Sequence, residues 1–162
     1  MEIFIQKNSN KNKSELSKEL LQIVYKKIYG KDIDLEKIHK NEYGKPYYDS
    51  SFMFNISHSK NYICIAVGKI EIGIDIEEER KFSIDISKRI LGKDEDLIDN
   101  NLLKNWVIKE AYAKYCAKGL YIDFRTINTN ELVKSSMLKN ISTQDYICYV
   151  YSKEDIEKVS II

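Results

Sequence analysis

The sequence predicts an α+β fold for this chain of 162 residues. The segment 70–77 alternates strictly between isoleucine and polar or glycine residues, which is typical of a half-buried strand. Leu16, Leu20, Val24 and Ile28 recur every four residues, as in an amphipathic helix. The predicted strands and helices follow one another without regular alternation, which favours α+β over α/β.

The first half of the chain is predicted to contain three strands and one helix. A strand covers residues 2–6, and Ser14 and Gly30 are placed to cap the two ends of the helix. Residues 52–57 and 62–67 read as two further strands, separated by a short polar loop.

The second half begins with the strand at 70–77. A short helix is predicted from Ser83 to Leu91, and a longer one runs from Asn101 to about Lys118. Residues 146–151 and 158–162 are predicted to be closing strands.

Composition excludes several classes of function. The 26 basic and 25 acidic residues give a net charge of +1, which argues against a nucleic-acid binder or a polybasic membrane anchor. No apolar run reaches the roughly 18 residues of a membrane span. Cys64, Cys116 and Cys148 fit neither a disulfide framework nor a zinc site, so we expect a cytoplasmic protein with no membrane partner.

Asp75 and Glu77 are the first candidates for a functional site. They lie two residues apart on a predicted strand, so both carboxylates project from one face and could share a divalent cation. The commoner explanation of such a pair is a solvated polar face. The pair alone leaves both interpretations open.

Glu110 is the candidate third acid. It projects within an apolar stripe of the long helix formed by Leu102, Trp106, Ala113 and Ala117. A buried carboxylate needs a cation or strong hydrogen bonds, so a metal ligand and a buried ion pair both explain it, as does an i, i+4 pair with Lys114. We expect Lys109 and Lys114 to face the same cleft as Glu110.

His58 directly follows a predicted strand, where enzymes often carry ligand contacts. The chain has no GxSxG elbow, which argues against a Ser-His hydrolase, and no Walker A or GxGxxG loop. A phosphate contact and an internally hydrogen-bonded histidine remain alternatives for His58.

Four ordered motifs resemble the Sfp-type 4'-phosphopantetheinyl transferases. They are Gly44-Lys45-Pro46, the segment 54–59 (FNISHS), the segment 73–77 (GIDIE), and WVIKEA at 106–111 with Lys114. The resemblance implies a fold of two similar α+β halves in one chain, forming a pseudo-dimer. We expect residues 1–68 to contact the coenzyme, and residues 69–162 to hold the magnesium site and the carrier-protein docking surface.

The implied activity is magnesium-dependent transfer of the phosphopantetheine arm of coenzyme A to a serine of an apo acyl or peptidyl carrier protein, which releases adenosine 3',5'-bisphosphate. The resemblance also implies a monomer; a non-catalytic relative that binds coenzyme A or a carrier is the alternative. Asp75, Glu77 and Glu110 match the metal ligands of the family, and Glu110 and Lys114 its catalytic residues. The implied coenzyme contacts are Gly44, Lys45, Pro46, Ser57, His58 and Lys114.

Three further expectations come from the same comparison. Lys11 and Lys13 are the candidates for the 3'-phosphate of the coenzyme. Ala117 stands where the family commonly has glycine, which is expected to extend the long helix by a turn. The helix at 83–91, with Phe82 beside it, matches the region that receives the carrier.

Overall fold

The structure, a computed structural model, describes residues 1–8, 12–49, 52–82 and 84–162. Its helices and strands, in chain order, are β1 Glu2–Lys7, α1 Lys13–Tyr29, β2 His39–Lys40, β3 Pro46–Tyr47, β4 Met53–His58, β5 Tyr62–Gly68, β6 Gly73–Glu77, α2 Ile84–Ile90, α3 Leu102–Tyr115, α4 Thr129–Leu132, β7 Leu138–Asn140, β8 Ile147–Tyr151 and β9 Lys158–Ile161. This mixture confirms the predicted α+β class.

The first sheet has the strand order β4-β5-β1-β9. Its central strand β1 is antiparallel to β5, with Ile3 opposite Ala66, and parallel to β9, with Ile3 opposite Val159. Helix α1 packs its apolar stripe on one face of this sheet, where Leu20 and Val24 are fully buried. The sheet therefore joins the beginning and the end of the chain.

The second sheet has the order β6-β8-β7 and is antiparallel throughout. One of its faces packs on the first sheet through a core that includes Ile74, Ile76, Cys148 and Val150. Helix α3 covers the opposite face. Because Ile74 and Ile76 point toward the first sheet, Asp75 must point toward the α3 side.

Gly73 allows α3 to lie directly on β6. A Cβ atom at this position would collide with the backbone of Ala111 and of Tyr115. Only glycine permits this approach, which places one turn of α3 over the first residues of β6.

Most element predictions are confirmed, with shifted ends. The strand expected from Ile70 begins only at Gly73, and Asn12, not Ser14, caps α1 by accepting a hydrogen bond from the Ser14 N–H. Ser83, where the short helix is predicted to begin, lies outside the described residues, as does the candidate phosphate contact Lys11.

The expected extension of α3 through Ala117 is wrong. The helix ends at Tyr115, and Ala117 has a φ of 57°, in the left-handed region. The alanine thus takes the conformation for which glycine is favoured instead of prolonging the helix.

The predicted division after residue 68 stays a prediction. The first sheet recruits β9, which lies at the end of the chain. Among the described residues, no helix is both long and apolar enough to cross a membrane.

Candidate functional site

The candidate site lies where β4, β6 and α3 meet. Strand β6 is at the edge of its sheet, and side chains of β4 bind its backbone. The Ile74 N–H donates to Asn55 Oδ1 (2.8 Å), and the Ile76 N–H donates to Ser57 Oγ (3.3 Å). Side chains of one sheet thus fix the strand that carries two of the predicted acids.

Asp75 is at the centre of this arrangement and is only 5% exposed. Its Oδ1 accepts hydrogen bonds from Ser57 Oγ (2.6 Å) and from Lys114 Nζ (2.7 Å). Its Oδ2 is also buried, but within the described part of the chain it has no hydrogen-bond partner. An unpartnered buried carboxylate oxygen is costly, and a bound cation would remove that cost.

Lys114 reaches this site from the last turn of α3. Its Nζ donates to Ser57 Oγ (2.9 Å) and to the carbonyl of Ile74 (3.1 Å), besides Asp75. Burial acts to lower the pKa of Lys114, but the charges of Asp75 and Glu110 more than offset it, so the pKa is raised. The ammonium therefore stays charged in the site.

Glu110 lies one turn before Lys114 and is 8% exposed. Burial is the main reason why its pKa is raised to about 7, and the nearby charge of Asp75 adds to the effect. Since the ion pair of Lys114 is with Asp75, the alternative of a simple Glu110–Lys114 surface pair is wrong. A carboxyl group that titrates near neutral pH can take up or release a proton under physiological conditions.

Glu77 lies at the end of β6, at the open side of the site. Burial, followed by the charge of Asp75, raises its pKa, while Arg80 acts against both. Arg80 Nη2 is 2.8 Å from Glu77 Oε1, and the Glu77 side chain is 18% exposed. The interpretation of Asp75 and Glu77 as a solvated polar face is therefore wrong.

The oxygen ligands of this site suit a hard divalent ion such as Mg²⁺. Among the described residues, no three His, Cys, Asp or Glu side chains are already arranged to hold a metal ion. The charges of Asp75 and Glu77 nevertheless both raise the pKa of Glu110. Within the described residues, Asp75 Oδ2 has no hydrogen-bond partner, so its lone pairs are available to a cation. The residues thus offer the carboxylate oxygens that a hard divalent ion prefers, although Glu77 is paired with Arg80.

His58 links the site to α1. Its Nε2 is 2.6 Å from Ser17 Oγ, so the histidine is internally hydrogen-bonded, although it also lines two cavities. Burial lowers its pKa, and the charges of Lys114 and Lys13 lower it further. The imidazole is therefore neutral at pH 7 and can serve as a hydrogen-bonding group without carrying charge.

Two cavities meet at His58 and Lys13. One, of about 570 Å³, runs between α1 and β4 and is lined in part by Lys13, Lys18 and Lys40. The other, of about 620 Å³, is lined by the ends of β4 and β6 together with Arg80. The first cavity is the basic groove. The second continues from it to Glu77 and is mixed in charge, because Glu78 and Glu79 also line it beside Lys13, Lys60 and Arg80.

The turn at Gly44-Lys45-Pro46 borders the first cavity through Gly44 and Pro46, and Gly44 has a φ of 85°. The ammonium of Lys45 is instead bonded to Glu71 and to the carbonyls of Ile72 (2.9 Å) and Lys114 (2.8 Å). A phosphate contact from this ammonium would require it to leave these partners. The predicted role of Lys45 stays a prediction.

The expectation that Lys109 faces the cleft is wrong. The residue is completely buried, and its Nζ donates to Glu95 and to the carbonyls of Ile90 (2.6 Å) and Phe124 (2.9 Å). Helix α3 is covered on most of its sides. A side chain outside its apolar stripe, such as Lys109, is therefore also buried, here against Ile90, Glu95 and Phe124.

Sequence reasoning missed four contributors to this site. Asn55 and Arg80 were given no role, and the basic cavity residues Lys18 and Lys40 come from separate segments. The signals for Asn55 are its place in the motif at 54–59 and its period-two spacing from Ser57 on a strand. The cavity residues give no local signal, because only folding brings them together.

Comparison with known proteins agrees with this architecture. Residues 71–161 match the model of the 4'-phosphopantetheinyl transferase superfamily. The chain is 37% identical to the 4'-phosphopantetheinyl transferase gsp of Aneurinibacillus migulanus over 51% of its own length and 39% of that protein. It is 36% identical to a 4'-phosphopantetheinyl transferase of Bacillus subtilis, covering 62% and 50% of the two chains.

A third relative is the 4'-phosphopantetheinyl transferase Sfp of Bacillus subtilis strain 168. The identity is 27%, over 83% of this chain and 65% of the relative. The chain thus spans about half the length of the curated relatives it matches.

Proposed function

This chain belongs to the 4'-phosphopantetheinyl transferase superfamily, and from that premise we propose that it transfers the 4'-phosphopantetheine arm of coenzyme A to a serine of an apo acyl or peptidyl carrier protein. The observation that carries the proposal is the buried carboxylate of Asp75. One of its oxygens is held by Lys114, and the other lacks a hydrogen-bond partner within the described residues. Glu110 is close enough for the charge of Asp75 to raise its pKa, and the basic groove continues through the second cavity to Glu77.

The basic groove is the proposed seat of the coenzyme. Its volume suits a nucleotide, and Lys13, Lys18 and Lys40 can neutralise phosphate charge. His58 stands where the groove reaches the carboxylates, and the backbone of Gly44 and Pro46 borders its wall. Ser57 takes part through the orientation of Asp75 and Lys114.

Asp75, Glu77 and Glu110 are the proposed magnesium ligands. When bound, magnesium would neutralise charge on the diphosphate and on the departing phosphate. Lys114 provides a fixed positive charge next to Asp75, because its ammonium is held by three acceptors. That charge can stabilise the negative charge that develops on the bridging oxygen.

Glu110 is the proposed general base. Its carboxylate can take the proton of the carrier serine as the serine oxygen attacks the phosphorus next to the pantetheine arm. A new P–O bond forms to the serine, and the bond to the second phosphate breaks. Adenosine 3',5'-bisphosphate leaves with the electron pair of that bond.

Two features of the implied family fold belong to the same proposal. The sheets with α1 and α3 would be the two similar halves of a pseudo-dimer within a monomeric protein. The segment around α2, with Phe82, would receive the carrier. Each sheet is covered by one long helix on its outer face, which supports the comparison of the halves.

The test is incubation of the protein with coenzyme A, Mg²⁺ and a panel of apo carrier proteins. Mass spectrometry should show the mass of the arm on a carrier serine, and EDTA should abolish the reaction. Glu110→Gln should lower turnover by roughly 10²–10⁴-fold while coenzyme binding measured by calorimetry is much less affected. Near-normal turnover of this variant would exclude Glu110 as the base.

One observation favours a second candidate, a relative that binds coenzyme A without catalysis. The Lys45 ammonium, a predicted coenzyme contact, is fully engaged with Glu71 and two carbonyls. Calorimetric binding of coenzyme A without modification of any carrier in the panel would support this candidate and refute the transferase.

A further inference from the structure

Arg80 connects two parts of the candidate site. Its guanidinium forms the ion pair with Glu77 at the end of β6. The same group lies over two aromatic rings, with Cζ 4.9 Å from the centroid of Phe82 and 5.5 Å from that of Trp106. Trp106 lies on α3, one helical turn before Glu110.

This position is defined by more than a surface ion pair. The rings of Phe82 and Trp106 are 6.0 Å apart, and Trp106 also contacts Phe124 at 5.2 Å, so the aromatic seat is itself packed. A cation over such rings is attracted by their π faces. The guanidinium is therefore held near Glu77 in a preferred place, although 44% of the Arg80 side chain is exposed.

The charge of Arg80 acts on two carboxylates of the site, Glu77 and Glu110. It acts to lower the pKa of Glu77 and that of Glu110. A divalent ion that binds these carboxylates must therefore approach a positive charge that is already paired with one of its ligands. The two cations repel each other, and Glu77 can satisfy the metal fully only if Arg80 gives way.

We propose that Arg80 is a positioning residue: it is the counter-ion of Glu77 and competes with the divalent metal ion for that carboxylate. This inference rests on the proposed magnesium site. The ion pair keeps Glu77 ordered without metal and weakens the binding of free Mg²⁺. A metal ion that arrives with a diphosphate brings compensating negative charge and is less affected. The arginine thus favours loading of the metal together with the diphosphate substrate.

The chain offers a direct spectroscopic readout, because Trp106 is its single tryptophan. If Mg²⁺ displaces Arg80, the guanidinium leaves the indole ring and tryptophan emission changes. The change should saturate with the dissociation constant that calorimetry gives for MgCl₂ alone. This measurement needs neither coenzyme nor carrier.

Three variants of the full chain test the proposal. Arg80→Gln should tighten the binding of Mg²⁺ alone by about tenfold, the order expected for a unit charge close to a divalent ion when water screens the pair almost as in bulk solvent. Arg80→Lys, which keeps the charge, should stay within about threefold of wild type. Lys81→Gln is the matched control, because it removes the same charge from an exposed neighbouring side chain. It should also change the affinity by less than about threefold.

The emission change on Mg²⁺ addition should occur in the wild type and in Lys81→Gln, and disappear in Arg80→Gln. Weaker or unchanged Mg²⁺ binding by Arg80→Gln would overturn the proposal and make Arg80 an orienting partner of Glu77. Tighter binding without any carrier modification would leave this inference standing and refute the proposed transferase. If the carrier is modified but Arg80→Gln does not bind Mg²⁺ more tightly, the proposed transferase stands and this inference is refuted.

Discussion

The contact between Gly73 and α3 gives a sharp prediction. An ideal Cβ atom at Gly73 would lie 1.9 Å from the Ala111 carbonyl oxygen, whereas ordinary van der Waals contact begins at 3.4 Å. In Gly73→Ala, α3 would therefore have to retreat by about 1.5 Å. Because both colliding groups belong to backbone, a side-chain rotation cannot relieve the clash.

Overpacking of this kind costs about 1–3 kcal/mol of unfolding free energy. For a chain of this length that corresponds to a fall in Tm of roughly 3–10 °C. A retreat of α3 would also stretch the 2.7 Å bond between Lys114 and Asp75 beyond hydrogen-bonding distance. Carrier modification should therefore fall even at temperatures where the variant is folded.

Urea denaturation followed by circular dichroism measures the stability, and the carrier assay at 20 °C measures the activity. Gly68→Ala is the matched control, since its new methyl group would meet mainly the end of the Glu154 side chain and no backbone atom. It should cost less than about 1 kcal/mol. If Gly73→Ala is as stable and active as Gly68→Ala, close packing of α3 on β6 does not hold the site together.

Two other predictions concern buried charges. Glu95→Gln should lower the unfolding free energy by about 3–5 kcal/mol in urea denaturation, because it leaves the fully buried Lys109 without its counter-ion. The control Glu131→Gln, which breaks the exposed pair with Lys134, should cost less than about 1 kcal/mol. Equal effects of the two substitutions would contradict the reasoning. In EDTA, the wild type should lose stability relative to Glu110→Gln as the pH rises from 5 to 7, by an amount on the order of 1–3 kcal/mol. The sign follows because the folded pKa of Glu110, about 7, lies above its ordinary value of 4.5, so the folded protein retains a proton that the unfolded chain has released; a difference that is flat or rises with pH would contradict it.

Local sequence patterns were sufficient to predict the fold class and most elements. Strands show a period of two and helices a period near four, and both signals are carried by neighbouring residues, as in α1 and β6. Errors arose where tertiary packing decided the outcome. Lys109 looks like a cleft residue on an isolated helix, but α3 is enclosed on several sides and buries it against Glu95.

Much of the site could also be anticipated. The position of Glu110 on an apolar stripe predicted a buried acid, and it is only 8% exposed. The hydrogen bonds of Asp75 could not be derived in this way, because its partners Ser57 and Lys114 lie on two other elements. Arg80 and Glu77 are close in sequence, yet one of the two rings under the guanidinium belongs to Trp106 on helix α3.

The side chains of Asn55 and Ser57 have a consequence for solubility. An exposed edge strand presents backbone groups that can pair with a strand of another molecule and begin aggregation. In β6, two of these N–H groups are bound by Asn55 and Ser57, and Lys114 binds the carbonyl of Ile74. The polar residues that arrange the site therefore also protect this strand from intermolecular β-pairing, so their loss would damage solubility as well as chemistry.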